Sequence, residues 1–121
     1  MAVDKESILA SIKKLLNIDV EDTSFDIDIV MLINGEFMIL QQLGIGPEEG
    51  FSIQDYTICW TDYVDDAKLI DTVKTFVYMR VRMIFDPPAS SVVADAINNR
   101  ISELEWRLNV WAEQNEGDGA S

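Results

Sequence analysis

The sequence predicts a mainly α fold: a compact bundle of four helices with a long loop or a short β-hairpin between the second and third. Two observations predict it. Four stretches carry apolar residues at i, i+3 and i+4 spacing, and residues suited to starting or stopping a helix flank them. Between Ile45 and Val64 that period disappears.

The first helix is expected from about Asp4 to Asn17, with Ile8, Leu9, Ile12, Leu15 and Leu16 on one face. Asp4 and Glu6 at its start and Lys13 and Lys14 near its end suit the helix dipole. The second should run from Thr23, an N-cap candidate, to Leu43, with Gly44 as the stop. Its apolar stripe is Phe25, Ile29, Leu32, Ile33, Phe37, Leu40 and Leu43. Gly35 inside it costs about 1 kcal/mol against alanine and suggests a close helix contact.

Gly46, Pro47 and Gly50 interrupt the next segment, and Phe51, Ile53, Thr57, Ile58 and Trp60 suggest short extended pieces. A loop this long inside a small domain is often functional. An interaction loop carrying Ile45, Pro47, Phe51 and Ile53, tethered by Trp60 and Tyr63, is preferred over a plain hairpin.

The third helix should start at Asp65 or Asp66 and end at Phe85. Its wide stripe of Leu69, Ile70, Val73, Phe76, Val77, Val81, Ile84 and Phe85 marks it as central, with Arg80 and Arg82 on its flanks. Asp86-Pro87-Pro88 ends it, because proline disfavours the α region at the preceding residue. Phe85 is expected in the core. Ser90 or Ser91 should cap a fourth helix running to about Glu113, with Val93, Ile97, Ile101, Leu104, Leu108 and Trp111 facing the third. Trp106 and Val110 fall off that face but neighbour each other; they suit either a partner surface or the cover of a core edge. Residues 1–113 then form one helical domain, and 114–121 a flexible polar tail.

Composition narrows function. The 121 residues are 48% apolar and 26% charged, enough for one domain that buries roughly two-thirds of the unfolded chain's surface. No apolar run reaches a membrane-helix length, and the acidic start does not resemble a signal peptide, so a soluble protein made in the cytoplasm is expected. With no histidine, neither histidine-based catalysis nor a histidine metal site is available. The lone Cys59 is expected to be a small buried hydrophobe rather than a reactive thiol. Gly44, Gly46 and Gly50 form no phosphate loop, since Glu48 and Glu49 would repel a phosphate. The carboxylate pairs Asp65–Asp66 and Glu103–Glu105 diverge on a helix and lack a further ligand. No enzyme, metal or cofactor is expected.

The net charge of −13 disfavours bulk binding of a nucleic-acid backbone. It is also uneven: residues 1–66 hold 14 acidic and 3 basic side chains, residues 67–121 hold 8 and 6. Simple solubility and a functional acidic face both remain open.

The stretches VKTFVYMRVRMIFDPPASS (73–91) and ELEWRLNV (103–110), with DTSFDIDIVMLING (22–35) and QQLGIGPEEGFSI (41–53) before them, resemble the head–tail connector, or adaptor, family of tailed bacteriophages and prophages. The resemblance extends over roughly residues 4–113 and rests on order and spacing. It implies a structural protein of the virion neck that forms a homo-oligomeric ring between the portal protein and the stopper or tail-completion protein. DNA would pass through the axial channel without sequence-specific binding, and no membrane would be involved. Trp106, Arg107, Val110 and Trp111 are then the candidate contacts to a neighbouring subunit or the portal. The alternative is a free acidic inhibitor that mimics DNA, or another small helical interaction protein. A mimic should space its acids in rows, whereas Asp19, Glu21, Asp22, Asp26 and Asp28 cluster at a helix start.

Overall fold

The computed structural model describes residues 6–119, with side chains to residue 115. Five helices follow in order: α1 (Ile8–Leu15), α2 (Asp26–Gln42), α3 (Trp60–Tyr63), α4 (Ala67–Phe85) and α5 (Ser91–Gly119). The four expected helices are present, and α3 is a single added turn. Helix α4 is central, packing against α1, α2 and α5. One core runs through all of them, from Ile8, Leu9 and Ile12 through Ile29, Ile33, Phe37 and Leu40 to Val73, Phe76, Val77, Val81 and Leu108.

Helix ends follow local chemistry. Ser7 caps α1 by accepting from the Ala10 N–H at 3.2 Å, so the helix begins later than expected; Asp4 lies outside the described residues. Asn17 at φ 67° closes α1, with Ile18 N–H donating to the Lys13 carbonyl and Asn17 N–H to that of Lys14. That left-handed cap is the Schellman arrangement. The same arrangement ends α2, where Gly44 sits at φ 89° and Ile45 N–H donates to the Leu40 carbonyl.

Thr23 is not the cap of α2. The helix starts at Asp26 behind Phe25, because the carbonyls of Val20 and Asp22 are held by the Lys13 ammonium and leave the helical path. Asp66 caps α4 through the N–H groups of Lys68 and Leu69, and α4 stops at Phe85 as the proline pair requires. Ser90 accepts from Val93 N–H at the start of α5.

Four expectations change. Phe85 is half-buried, packed edge-to-face on the exposed Phe25 with ring centroids 5.3 Å apart, and so lies at the margin of the core. Gly35 makes no close helix contact: a Cβ there would meet nothing within 4 Å. The first turn of α5 lies outside the core, with Val93 exposed; Ile97 is half-buried and packs against the core, and full burial begins at Ile101. Helix α5 also continues six residues past Glu113, to Gly119, with no proline to interrupt it.

Candidate assembly surfaces

Lys13 is the buried hub of the acidic half. Its side chain is 0% exposed, and its ammonium donates to the carbonyls of Val20 (3.0 Å) and Asp22 (2.8 Å), to Asp26 Oδ1 (2.7 Å) and to the Tyr56 hydroxyl (2.6 Å). Tyr56 donates in turn to Asp26 Oδ2 at 2.6 Å. One ammonium thus pins the 17–25 connection, the start of α2 and the end of the 43–59 loop. Burial pulls the Lys13 pKa down, but the bonds to Asp26 and Tyr56 outweigh it and hold it above the ordinary lysine value. Burial pushes Asp26 the other way, and the bonds from Lys13 and Tyr56 win, keeping its carboxyl below the usual range. Tyr56 is raised, by burial first and by the Asp26 carboxylate second. The sequence placed Lys13 in an ordinary helix-end role; its burial depends on partners 7 to 43 residues away.

The 43–59 segment contains no strand, and α3 replaces the extended piece expected at Trp60. Its end pairs instead with the chain before α1, through Ile8 N–H to the Ile58 carbonyl and Trp60 N–H to the Glu6 carbonyl. Asn34 fixes its middle like a short strand, accepting from Ile53 N–H (2.8 Å) and donating to the Ile53 carbonyl (3.0 Å). Trp60 Nε1 donates to the buried Ser11 hydroxyl at 2.8 Å. Gly46, at φ 87°, lies flat on Tyr63, where a Cβ would come within 2.5 Å of the ring. Phe51 and Tyr63 pack on Phe37 and on each other, edge-on or tilted, at centroid distances of 4.8–4.9 Å. Burial pushes the Tyr63 hydroxyl, which has no hydrogen-bond partner, well above an ordinary tyrosine. Cys59 is half-buried rather than buried, with Sγ 3.7 Å from the Thr57 carbonyl.

This anchoring redistributes the candidate loop residues. Ile45 and Ile53 are core residues and cannot present side chains to a partner. Ile45 follows the α2 cap, the position whose side chain commonly folds back on the last turn. Phe51 is half-buried in the aromatic cluster. Pro47, also half-buried, reaches an open groove of about 950 Å³, where it lines one wall with Glu48, and Trp111, Asn109 and Glu113 line another. Pro47 and Trp111 are therefore brought to one groove, between the ends of α2 and α5.

On α5, Trp106 is 65% exposed and Arg107 is also exposed; Val110 and Trp111 are half-buried. Leu104 and Leu108 on the opposite side are buried. Glu103 is bonded by Arg100 (3.1 Å) and Arg107 (3.2 Å) along the same surface.

A second surface was missed. On α2, Ile27, Met31 and Met38 are 79%, 68% and 63% exposed, and at about 100° per residue they fall within about 40° of arc. Gly35 lies beside them with open space over its Cα. A groove of about 220 Å³ adjoins Ile27 and Met31 and is edged by Asp26, Asp55 and Tyr56. The spacing of 27, 31 and 38 was readable, but the stronger stripe through Ile29, Ile33, Phe37 and Leu40 masked it.

Part of the acidity has a local use. Asp19, Asp22, Asp55, Asp62 and Asp66 each accept a nearby backbone N–H, and Asp22 and Asp55 are held below ordinary carboxylates by the bonds from Ser24 and Thr57. Among the described residues, no group of three or more potential ligands could hold a metal ion, and no helix is long and apolar enough to cross a membrane.

No curated protein and no solved structure matches the chain. A family model described as "Phage connector protein" matches residues 8–115, from the first residue of α1 to the last turns of α5. With the match covering nearly the whole described body, the chain belongs to the phage connector protein family.

Proposed function

We propose that the protein is a structural component of the phage neck, located in the virion, which forms a homo-oligomeric ring between the portal protein and the stopper or tail-completion protein. The observation that supports this, beside the family, is the exposed apolar side chains Ile27, Met31 and Met38 on one face of α2 and Trp106 on α5. Exposed apolar surface of this kind marks an association site. Different surfaces on one chain mate head-to-tail and close into a ring when the rotation closes. Trp106, Arg107, Val110 and Trp111 contact a neighbouring copy or the portal. DNA passes the axial channel without sequence-specific binding, in keeping with the net charge of −13. Residues 1–113 serve as the connector domain, with 114–121 a polar tail.

The test is a phage whose gene for this chain carries an early stop codon. DNA-filled heads and separate, complete tails that fail to join are expected, and supplying the chain in trans restores joining. Normal particles from that mutant would contradict the proposal.

A further inference from the structure

We propose that the exposed face of α2 receives a basic amphipathic helix of a different protein. Placing that protein in the phage neck rests on the reading above; the chemistry of the helix rests on the face itself.

The face is apolar at its centre and acidic around it. Ile27, Met31 and Met38 stand exposed along about three turns of α2. Gly35 beside them leaves open space over the backbone, so an incoming helix can approach closely. Exposed methionines adapt their shape to the apolar side of such a helix. The adjoining groove of about 220 Å³ repeats the pattern on a smaller scale. Leu9, Ile27 and Met31 give it apolar walls, and Asp26, Asp55 and Tyr56 give it a polar edge. This is the complement of a lysine or arginine, whose aliphatic stem packs on apolar surface while its charged head stays at the rim.

The sign of the partner follows from the charges near the face. Between Lys14 and Lys68 the chain has 12 acidic residues and no basic one. No lysine or arginine lines the groove. Lys13 lies beneath it, but its ammonium is buried and spent on Asp26, Tyr56 and two carbonyls. Asp28 and Asp55 are exposed, and among the described residues neither is in an ion pair. Asp55 bonds Thr57 through Oδ1 alone. Uncompensated carboxylates around an apolar centre select a cationic partner and repel an acidic one.

A second copy of this chain does not supply that cationic face. Of its described basic residues, Lys13, Lys74, Arg80, Arg100 and Arg107 are already paired with carboxylates. Lys14, Lys68 and Arg82 stand apart from one another, on α1 and at the two ends of α4. With a net charge of −13, another copy brings mainly like charge to the α2 face.

The experiment uses the purified full chain with isotope-labelled methionine methyl groups, followed by NMR. The probe is a synthetic helix of leucine and lysine, with leucine at i, i+3 and i+4 spacing. The Met31 and Met38 signals should shift and saturate, while those of Met79 and Met83, which pack on the core, stay in place. A shuffled peptide of the same composition should bind about tenfold more weakly, and one with glutamate for every lysine should not bind. Asp55→Asn keeps an acceptor for Thr57 and should weaken binding about tenfold. Asp95→Asn, an equal loss of charge on α5, should leave it unchanged. No shift at Met31 and Met38, binding of the glutamate peptide, equal binding of the shuffled one or equal effects of the two variants would overturn the assignment. So would Met31 and Met38 signals that move with the concentration of the chain alone, which would give the face to a second copy. None of these outcomes involves a phage particle, so each leaves the neck reading to the stop-codon phage, which tests it separately.

Discussion

The buried Lys13 ammonium illustrates how a single residue can carry more structure than its position in a helix suggests. Removing one member of a buried, hydrogen-bonded ion pair leaves the other unpaired, at a cost of about 3–5 kcal/mol. Asp26→Ala should lower stability by that amount in urea unfolding, and a change below about 1 kcal/mol would show that the network is incidental. The pH dependence has two limbs. Asp26 is depressed in the folded state, so its stabilisation is present above the unfolded value, about 3.9, and lost as pH falls through the folded one. Lys13 and Tyr56 are raised, so theirs is present below about pH 10 and lost as pH rises through their folded values. Thermal melts should be flat between about pH 5 and 9 and fall on both sides, with both falls shallower in the Asp26→Ala variant. The sequence showed Lys13, Asp26 and Tyr56 as three unrelated residues. Only the fold brings a lysine of α1, a carboxylate of α2 and a loop tyrosine within 3 Å of one another.

Trp106 and Leu104 separate assembly from folding on one helix. Leu104 is buried and Trp106 exposed. Leu104→Ala should cost about 2–5 kcal/mol, as core leucines do. Trp106→Ala should stay within about 0.5 kcal/mol of wild type, as surface changes do, yet prevent incorporation into particles. Equal destabilisation by both would assign Trp106 to the core.

At the scale of elements, α1, α2, α4 and α5 were legible from their apolar periods and several of their ends from local chemistry, whereas α3 and the start of α2 were not. Gly44, Asp66, Ser90 and the Asp86-Pro87-Pro88 turn act within a few residues of themselves and function as their sequence suggests. The 43–59 loop was less legible, because Asn34 holds it at Ile53 and Ile8 at Ile58, both from distant positions, while Ser11 and Glu6 fix Trp60 just after it. Its interaction role was assigned partly to Ile45 and Ile53, which the anchoring buries. The loop also explains why Gly46 must be glycine. Alanine would meet the Tyr63 ring and occupy a left-handed backbone conformation, which together should cost about 2–4 kcal/mol. A Gly46→Ala variant as stable as wild type in chemical denaturation would contradict that packing. At the α4–α5 turn, Phe85 is only half-buried, so Phe85→Ala should cost about 1–2 kcal/mol, below the 3–5 of a fully buried phenylalanine.

The whole molecule is a small helical body whose core is complete without all of its apolar side chains. Helix α4 takes the inner faces of α1, α2 and α5, and this leaves outward stripes on α2 and α5. Trp106 was visible in sequence because it stands apart from the core period of α5; the α2 stripe was hidden behind a stronger one. Acidity that suggested either solubility or an acidic face proves to be spent partly on local caps, at Asp19, Asp22, Asp55, Asp62 and Asp66. The most direct measurement of the central claim is native mass spectrometry of the chain mixed with the portal protein of its phage. The account predicts one complex carrying many copies of the chain per portal, in a fixed number that does not grow with excess chain. A single bound copy, a number that rises without limit, or no complex would contradict it.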